Sequence, residues 1–139
     1  MKSRAVAAGI FALFLNIGNV FADQAAEKPI VAAAQSWLGE IDSGNYVNSW
    51  KQASGYFQGA VTEKNWTDAL TGARRPLGKL LARKLVKTQS VTSLPGAPDG
   101  NYLVMQFETS FENKKSAVEL VTFVREKDGS WRSAGYYIK

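Results

Sequence analysis

Apolar positions along the chain repeat with a helical period up to about residue 75 and alternate with polar positions after it. Residues 29–43 predict a first helix, because their apolar side chains share one stripe. A second, short helix is predicted after Asn45 and a third after Thr62, since both residues are good N-caps. Helical structure is expected to end before Pro76, whose ring blocks its continuation.

Four strands follow the helical part and are rich in Val, Thr, Phe and Tyr. They are predicted over residues 85–93, 101–112, 116–126 and 130–138. A wide turn at 95–100 and tight turns at Asn113-Lys114 and Asp128-Gly129 separate them, which predicts an antiparallel meander. Helices with apolar stripes and a sheet with one apolar face bury each other by stacking. The predicted fold class is therefore α+β, with N-terminal helices packed on a curved four-stranded antiparallel meander.

The two tight turns also predict a strand register. If both have two residues, Phe107 pairs with Leu120 and Leu120 with Tyr137, on the face beneath the helices. Leu103, Met105 and Val124 are expected on that inner face as well. The outer face then mixes acidic and apolar side chains, which is typical of an interface core and its rim. The residues predicted there are Gln106, Glu108, Glu119, Val121, Phe123, Ala134, Tyr136 and Ile138.

The first 22 residues have the pattern of a secretory signal peptide. Two basic residues precede an apolar run over residues 5–15, and residues 20–22 match the small-x-small site of signal peptidase. The run is shorter than the roughly 20 residues that span a bilayer, and no Cys follows it for lipidation. We therefore expect cleavage after Ala22, a periplasmic or secreted product without a stable membrane anchor, and a single domain over residues 23–139.

Composition excludes several classes of function. The chain has 17 Lys and Arg against 12 Asp and Glu, and loss of two cations with the signal peptide leaves 15 against 12. This small surplus is spread along the chain and does not indicate a nucleic-acid partner. With no His and no Cys, the chain has no Ser-His-Asp triad, no thiolate nucleophile and no imidazole or thiolate zinc site. No cofactor motif occurs, so neither a cofactor nor a metal is predicted.

Aromatic side chains in both halves of the chain predict a ligand pocket between the helices and the sheet. The candidates are Trp50, Tyr56, Phe57 and Trp66 from the helical part, with Trp131 and Tyr137 from the strands. Aromatic residues at these spacings also occur as plain core, and that alternative stays open.

Carboxylates and guanidinium groups supply the remaining candidate chemistry. In the predicted register Glu108 lies opposite Glu119, and the two carboxylates repel each other unless a cation lies between them. Such a pair suits a general acid and base, whereas the alternative is an ion pair with Arg74, Arg75 or Arg83. Arg74 and Arg75 are also candidates for contact with an anionic ligand, or for capping the C-terminal end of the third helix.

Several separated motifs resemble one exported bacterial family, known as domain of unknown function 4019. The motifs are Tyr46…Ser49-Trp50, Arg75-Pro76-Leu77-Gly78, Ser93-Leu94-Pro95-Gly96, Phe107-x-Thr109-Ser110-Phe111, Asn113-Lys114-x-x-Ala117-x-Glu119 and Trp131-x-x-x-Gly135-Tyr136-Tyr137-Ile138. In layout the chain is also similar to nuclear-transport-factor-2-like and cystatin-like domains. That similarity implies a cone-like fold in which helices close over a curved sheet and leave a pocket at one end. It implies no particular activity, because such folds host enzymes, ligand-binding domains and dimerisation modules.

Three functions are compatible with the sequence. The favoured one is an exported, non-catalytic binding or protein-interaction module, with a small-molecule ligand or a homodimer through the outer sheet face. The interface candidates are Val121, Phe123 and Tyr136. The alternative is a small-molecule pocket enzyme of the isomerase or dehydratase kind that uses Glu108 or Glu119. The third, contact with the membrane or cell wall through basic patches, is the weakest because no basic amphipathic helix is predicted.

Overall fold

The computed structural model describes residues 4–5 and 24–139, so most of the predicted signal peptide lies outside the described residues. A two-residue strand, β1 (Arg4–Ala5), comes first along the chain. The helical part comprises α1 (Gln24–Asp42), α2 (Tyr46–Lys51), α3 (Gly55–Ala60), α4 (Glu63–Ala73) and a 3-10 helix (Arg75–Leu77). The long strands are β2 (Leu80–Val91), β3 (Tyr102–Phe111), β4 (Lys114–Arg125) and β5 (Trp131–Ile138).

The strands form one antiparallel sheet in the order β1-β5-β4-β3-β2. Strands β2 to β5 are sequential neighbours, which confirms the predicted four-stranded meander, and β1 pairs with the edge of β5. Helices α1 to α4 contribute buried side chains to one core with β3, β4 and β5. The predicted α+β class is therefore confirmed, because each layer buries the apolar surface of the other.

Short polar side chains set the starts of two helices. Thr62 accepts a hydrogen bond from the backbone N–H of Asn65 (3.1 Å) and so caps α4, as the sequence predicts. Ser54 caps α3 in the same way through the N–H of Phe57 (3.1 Å). The sequence pattern predicts no helix at this point, because Ser54-Gly55 is equally typical of a helix end. The structure adds α3 as a fourth helix, of six residues.

The predicted register between β3 and β4 is wrong by one residue. Phe107 pairs with Glu119 instead of Leu120, and Leu120 pairs with Gln106. Phe107 and Leu120 therefore lie on opposite faces of the sheet, because side chains alternate along a strand. The predicted pairing of Leu120 with Tyr137 between β4 and β5 is confirmed.

The turn between β3 and β4 explains the slip. Phe111 pairs with Lys114, so the two turn residues are Glu112 and Asn113 and not Asn113 and Lys114. An irregularity in the ladder between Thr109 and Phe111 then shifts the pairing by one residue in the opposite direction. A bulge of this kind inserts one unpaired residue, and the sequence pattern alone does not reveal it.

The slip exchanges the two faces of β4 and, at Tyr136 and Ile138, those of β5, whose pairing with β4 is as predicted there. Val121 and Phe123, predicted on the outer face, lie in the core beneath the helices with exposures of 0% and 2%. Tyr136 joins them at 1% exposure, so the three predicted interface residues are core residues. Glu119 and Ile138 are likewise buried on this side, whereas Val124, predicted inside, packs with an outer cluster around Tyr102 and Leu94. A homodimer stays a prediction, and these residues do not provide its interface.

Aromatic rings form the centre of the core between the layers. They belong to Trp37, Phe57, Trp66, Phe123 and Tyr136. The rings of Trp37 and Trp66 stack at 6.0 Å, and Phe57 meets Trp66 edge to face at 4.8 Å. The indole N–H of Trp66 donates to the hydroxyl oxygen of buried Ser49 (2.9 Å). The indole N–H of Trp37 donates to the backbone carbonyl oxygen of the same serine (2.9 Å). In a chain without cysteine, this packing takes the place of disulfides.

Candidate functional site

The candidate chemistry of the described residues is best seen in a buried ionic network and in a cavity at one end of the sheet. The buried ionic network consists of Asp42, Arg74, Arg83, Thr109, Glu119 and Tyr136. It lies between the helical layer and the inner face of the sheet. Two carboxylates face two guanidinium groups, so the network is electrically balanced.

Arg83 is the centre of the buried ionic network. Its guanidinium donates to Glu119 from Nε (2.7 Å) and Nη2 (3.2 Å), and to Asp42 from Nη1 (2.8 Å) and Nη2 (3.0 Å). Burial of Arg83 acts to lower its pKa, but the hydrogen bonds and charges of Asp42 and Glu119 outweigh burial and raise that pKa. Arg83 therefore stays charged and joins the last residue of α1 to the sheet.

Glu119 is fully buried and has no free acceptor position. Its Oε1 accepts from Arg83 and from the Thr109 hydroxyl (2.6 Å), and its Oε2 accepts from Arg83 and from the Tyr136 hydroxyl. Burial raises the pKa of Tyr136 well above its ordinary value, and the charge of Glu119 raises it further. The phenol therefore stays protonated and acts as a donor. The ion pair of Glu119 with Arg83 confirms the structural alternative that the sequence left open.

Glu108 lies apart from this network. It is exposed on the outer face and pairs with Lys84 on one side and Val118 on the other. The predicted juxtaposition of Glu108 and Glu119 is therefore wrong, because the one-residue slip places their side chains on opposite faces.

The two candidate anion contacts have different surroundings. Arg74 is buried, donates to Asp42 (3.1 Å) and to the carbonyl oxygen of Gly78 (2.6 Å), and lies 4.3 Å above the Phe111 ring. Its charge is thus already paired within the protein. Arg75 is exposed, with its guanidinium 5.4 Å from the centre of the Tyr46 ring.

A cavity of about 610 Å³ lies at the end of the sheet where β2 and β4 stop and β3 and β5 start. We call it the end cavity. Its walls come from the first turns of α1, the β2–β3 loop and the neighbouring strand ends, and apolar side chains dominate them. The lining residues are Ala26, Glu27, Ile30, Ser90, Val91, Thr92, Ser93, Leu94, Pro95, Asn101, Tyr102, Leu103, Arg125 and Trp131.

Two charged side chains border the end cavity. Glu27, in the first turn of α1, accepts a hydrogen bond from the Thr88 hydroxyl of β2 (2.7 Å). Arg125 is exposed at the end of β4 and pairs across the strands with Trp131. Within the part of the chain that the structure describes, the Arg125 guanidinium has neither a hydrogen bond nor an ion pair. The end cavity thus has one anchored carboxylate and one unengaged cation.

The six predicted pocket aromatics are dispersed in the structure. Phe57 and Trp66 belong to the core, Trp50 donates its indole N–H to the Val61 carbonyl (2.8 Å), and Tyr56 donates to the Gly96 carbonyl (3.2 Å). Tyr137, opposite Leu120, lies on the outer face. Of the six, Trp131 alone lines the end cavity, and it also lines a smaller cavity of about 240 Å³ beside Trp37 and Phe123.

Sequence reasoning did not single out Arg125, Glu27 or Ile30 as site residues. The available signal for Arg125 was its position, a cation three residues before the predicted Asp128-Gly129 turn and six residues before Trp131. No sequence signal connects α1 with this turn, because the contact depends on how the two layers stack.

Within residues 24–139, the acidic side chains form no cluster of three that could hold a metal ion. None of the described helices combines the length and the apolar character that crossing a membrane requires.

Comparison with curated proteins and with solved structures gives no match, so the similarity to nuclear-transport-factor-2-like domains stays a prediction. A family model does match, over residues 33–136, which is most of the chain and includes parts of both layers. The chain therefore belongs to the family described as Protein of unknown function (DUF4019).

Proposed function

We propose that this protein is an exported, non-catalytic binding module that holds a small, largely apolar molecule in the end cavity. The observation that carries the proposal is the end cavity itself, about 610 Å³ in volume and bounded by α1, the sheet and the β2–β3 loop. Ligand cavities in proteins occupy roughly 300–1,000 Å³ and combine apolar walls with a few polar groups. The end cavity has this size and this composition.

Export is part of the proposal because of the sequence pattern of residues 1–22. Helix α1 begins at Gln24, just after the predicted cleavage site behind Ala22, and supplies one wall of the end cavity. Processing at that site thus leaves the wall intact.

The surroundings of the two carboxylates favour binding over catalysis. Glu119 is saturated by four hydrogen bonds and does not line the end cavity. Glu108 is exposed on the outer face, away from the end cavity. A general acid or base needs hydrogen-bond reach to its substrate, and neither group has that reach to a ligand in the end cavity.

Two tryptophan substitutions on neighbouring residues of α1 test the proposal. Ala26 and Ala25 are both exposed, but only Ala26 lines the end cavity. The full chain is expressed, the processed protein is purified, and binding of decanol and decanoate is measured by calorimetry. We expect wild type and Ala25→Trp to bind with one-to-one stoichiometry, and Ala26→Trp to bind more than about tenfold more weakly because its ring fills the space. Equal binding by both variants, or no binding of either probe to wild type, would overturn the proposal.

A further inference from the structure

We infer that the end cavity selects amphipathic anions, that is, molecules with an apolar body and one carboxylate head that pairs with Arg125. The inference rests on the proposed function, because it requires a ligand in the end cavity. It adds the chemical class of that ligand and names the residue that recognises it.

Arg125 is held at the cavity rim by its backbone. It is the last residue of β4, and its N–H donates to the carbonyl oxygen of Asn101 (3.0 Å), the residue just before β3. Its strand partner across the ladder is Trp131. Arg125 and Trp131 thus both line the end cavity, whose walls are otherwise largely apolar. The Arg125 guanidinium extends near the β4–β5 turn, where Nη2 lies 3.6 Å from the position of a Cβ at Gly129.

The state of the Arg125 guanidinium distinguishes it from the buried arginines. Arg74 and Arg83 are both neutralised by Asp42, and Arg83 also by Glu119. The Arg125 guanidinium has no such partner among the described residues. Its planar fork of donors matches the two oxygens of a carboxylate, so a ligand carboxylate completes its pairing.

Glu27 gives the ligand a direction. Its carboxylate is tied to Thr88 on β2, and β3 lies between β2 and the β4 strand that carries Arg125. Strands β2 and β4 are therefore separated by two strand spacings, which amount to about 10 Å. A single anionic head therefore fits at Arg125 with the apolar body extending towards α1, whereas a second anionic group at the far end would meet the like charge of Glu27.

The first experiment compares three ligands that share a ten-carbon chain: decanoate, decanol and decanedioate. Calorimetry with the processed wild-type protein at a pH that ionises the acids should give the tightest binding for decanoate, by about tenfold over decanol. Added salt should weaken decanoate binding and leave decanol binding unchanged. Decanedioate should bind more weakly than decanoate because of Glu27.

Matched variants assign the selectivity to single residues. Arg125→Gln should bring decanoate to the affinity of decanol, while Lys127→Gln, which removes a cation from the exposed turn after β4, should retain the preference. Glu27→Gln should improve the binding of decanedioate. Thermal unfolding of each variant checks that it is folded.

The outcomes separate the inference from the function on which it rests. Decanol binding as tightly as decanoate, or a preference that survives Arg125→Gln, would overturn the inference and leave the binding module in place. Absence of binding by all three ligands would overturn both.

Discussion

Arg83 and Glu119 are joined by two hydrogen bonds, from Nε to Oε1 at 2.7 Å and from Nη2 to Oε2 at 3.2 Å. The pair connects edge strand β2 to β4, on the other side of β3. Because Arg83 also binds Asp42 at the end of α1, the same guanidinium holds the helical layer on the sheet. The hydrogen bonds of this carboxylate are thus all made within the fold, and the ligand site that we propose is the end cavity.

Removal of the Glu119 carboxylate should destabilise the fold strongly. Glu119→Ala leaves the buried guanidinium of Arg83 without one of its two partners, and such losses cost about 3–5 kcal/mol in the free energy of unfolding. Urea unfolding measures this difference. The control is Glu108→Ala, an exposed carboxylate on the neighbouring strand, which should change stability by about 0.5 kcal/mol or less. Similar losses for both variants would contradict the assignment of Glu119 to the core.

Stability should decrease as the pH rises above about 10, the ordinary pKa of tyrosine. Burial and Glu119 raise the pKa of Tyr136 in the folded chain, so folding favours the protonated phenol. This stabilisation is complete below the unfolded-state pKa and is lost as the pH rises towards the folded-state pKa.

The variant Tyr136→Phe isolates that contribution. The difference in unfolding free energy between wild type and Tyr136→Phe should be largest near neutral pH and should shrink in alkaline solution. Tyr137→Phe, on the outer face, is the control. A difference that stays constant with pH would show that Tyr136 does not titrate as described.

Two glycine substitutions should have opposite effects. Gly78 has a φ of +77°, and a Cβ there would lie 2.6 Å from Oε1 of Glu112, so Gly78→Ala should destabilise the protein. Gly72 lies in α4 with no atom within 4 Å of an added Cβ, so Gly72→Ala should stabilise the protein by up to about 1 kcal/mol. Thermal unfolding of the two variants shows whether each substitution raises or lowers the stability of the protein. Stabilisation by Gly78→Ala would contradict the backbone geometry before β2, and destabilisation by Gly72→Ala would contradict the open position of Gly72 on α4.

The helix caps provide a further comparison. Thr62→Ala removes the side-chain acceptor of the Asn65 N–H and should cost about 1 kcal/mol of stability. Asn45 occupies the corresponding position before α2 but makes no capping bond with its side chain, so Asn45→Ala should cost distinctly less. Chemical denaturation of both variants measures the difference in unfolding free energy. A larger loss of stability for Asn45→Ala would contradict the assignment of Thr62, and not Asn45, as the capping residue.

Local patterns were sufficient for most of the fold. The apolar stripe of residues 29–43 predicts α1, and Thr62 predicts the start of α4, because both features depend on residues close in sequence. The register required more, since the position of the β3–β4 turn shifts the pairing by two residues and the irregularity after Thr109 shifts it back by one. One such slip moved Val121 and Phe123 from the predicted outer face to the core.

The candidate site was less predictable because it depends on long-range contacts. Asp42 and Arg83 are 41 residues apart, and Arg83 precedes the predicted start of its strand at residue 85. The end cavity likewise combines α1, the β2–β3 loop and the β4–β5 hairpin. Sequence patterns identify Trp131 as a candidate, but which aromatic side chains border empty space is decided by the stacking of the layers.

The indole N–H signals of the tryptophans test the central claim, that a ligand occupies the end cavity. Trp37, Trp50 and Trp66 donate their indole N–H groups to protein oxygens at 2.8–2.9 Å, whereas Trp131 lines the cavity. In a titration followed by proton–nitrogen NMR, decanoate should shift the Trp131 indole signal most and leave that of Trp50 nearly unchanged. Binding of decanoate with an unmoved Trp131 signal, or with an equal shift at Trp50, would contradict the account.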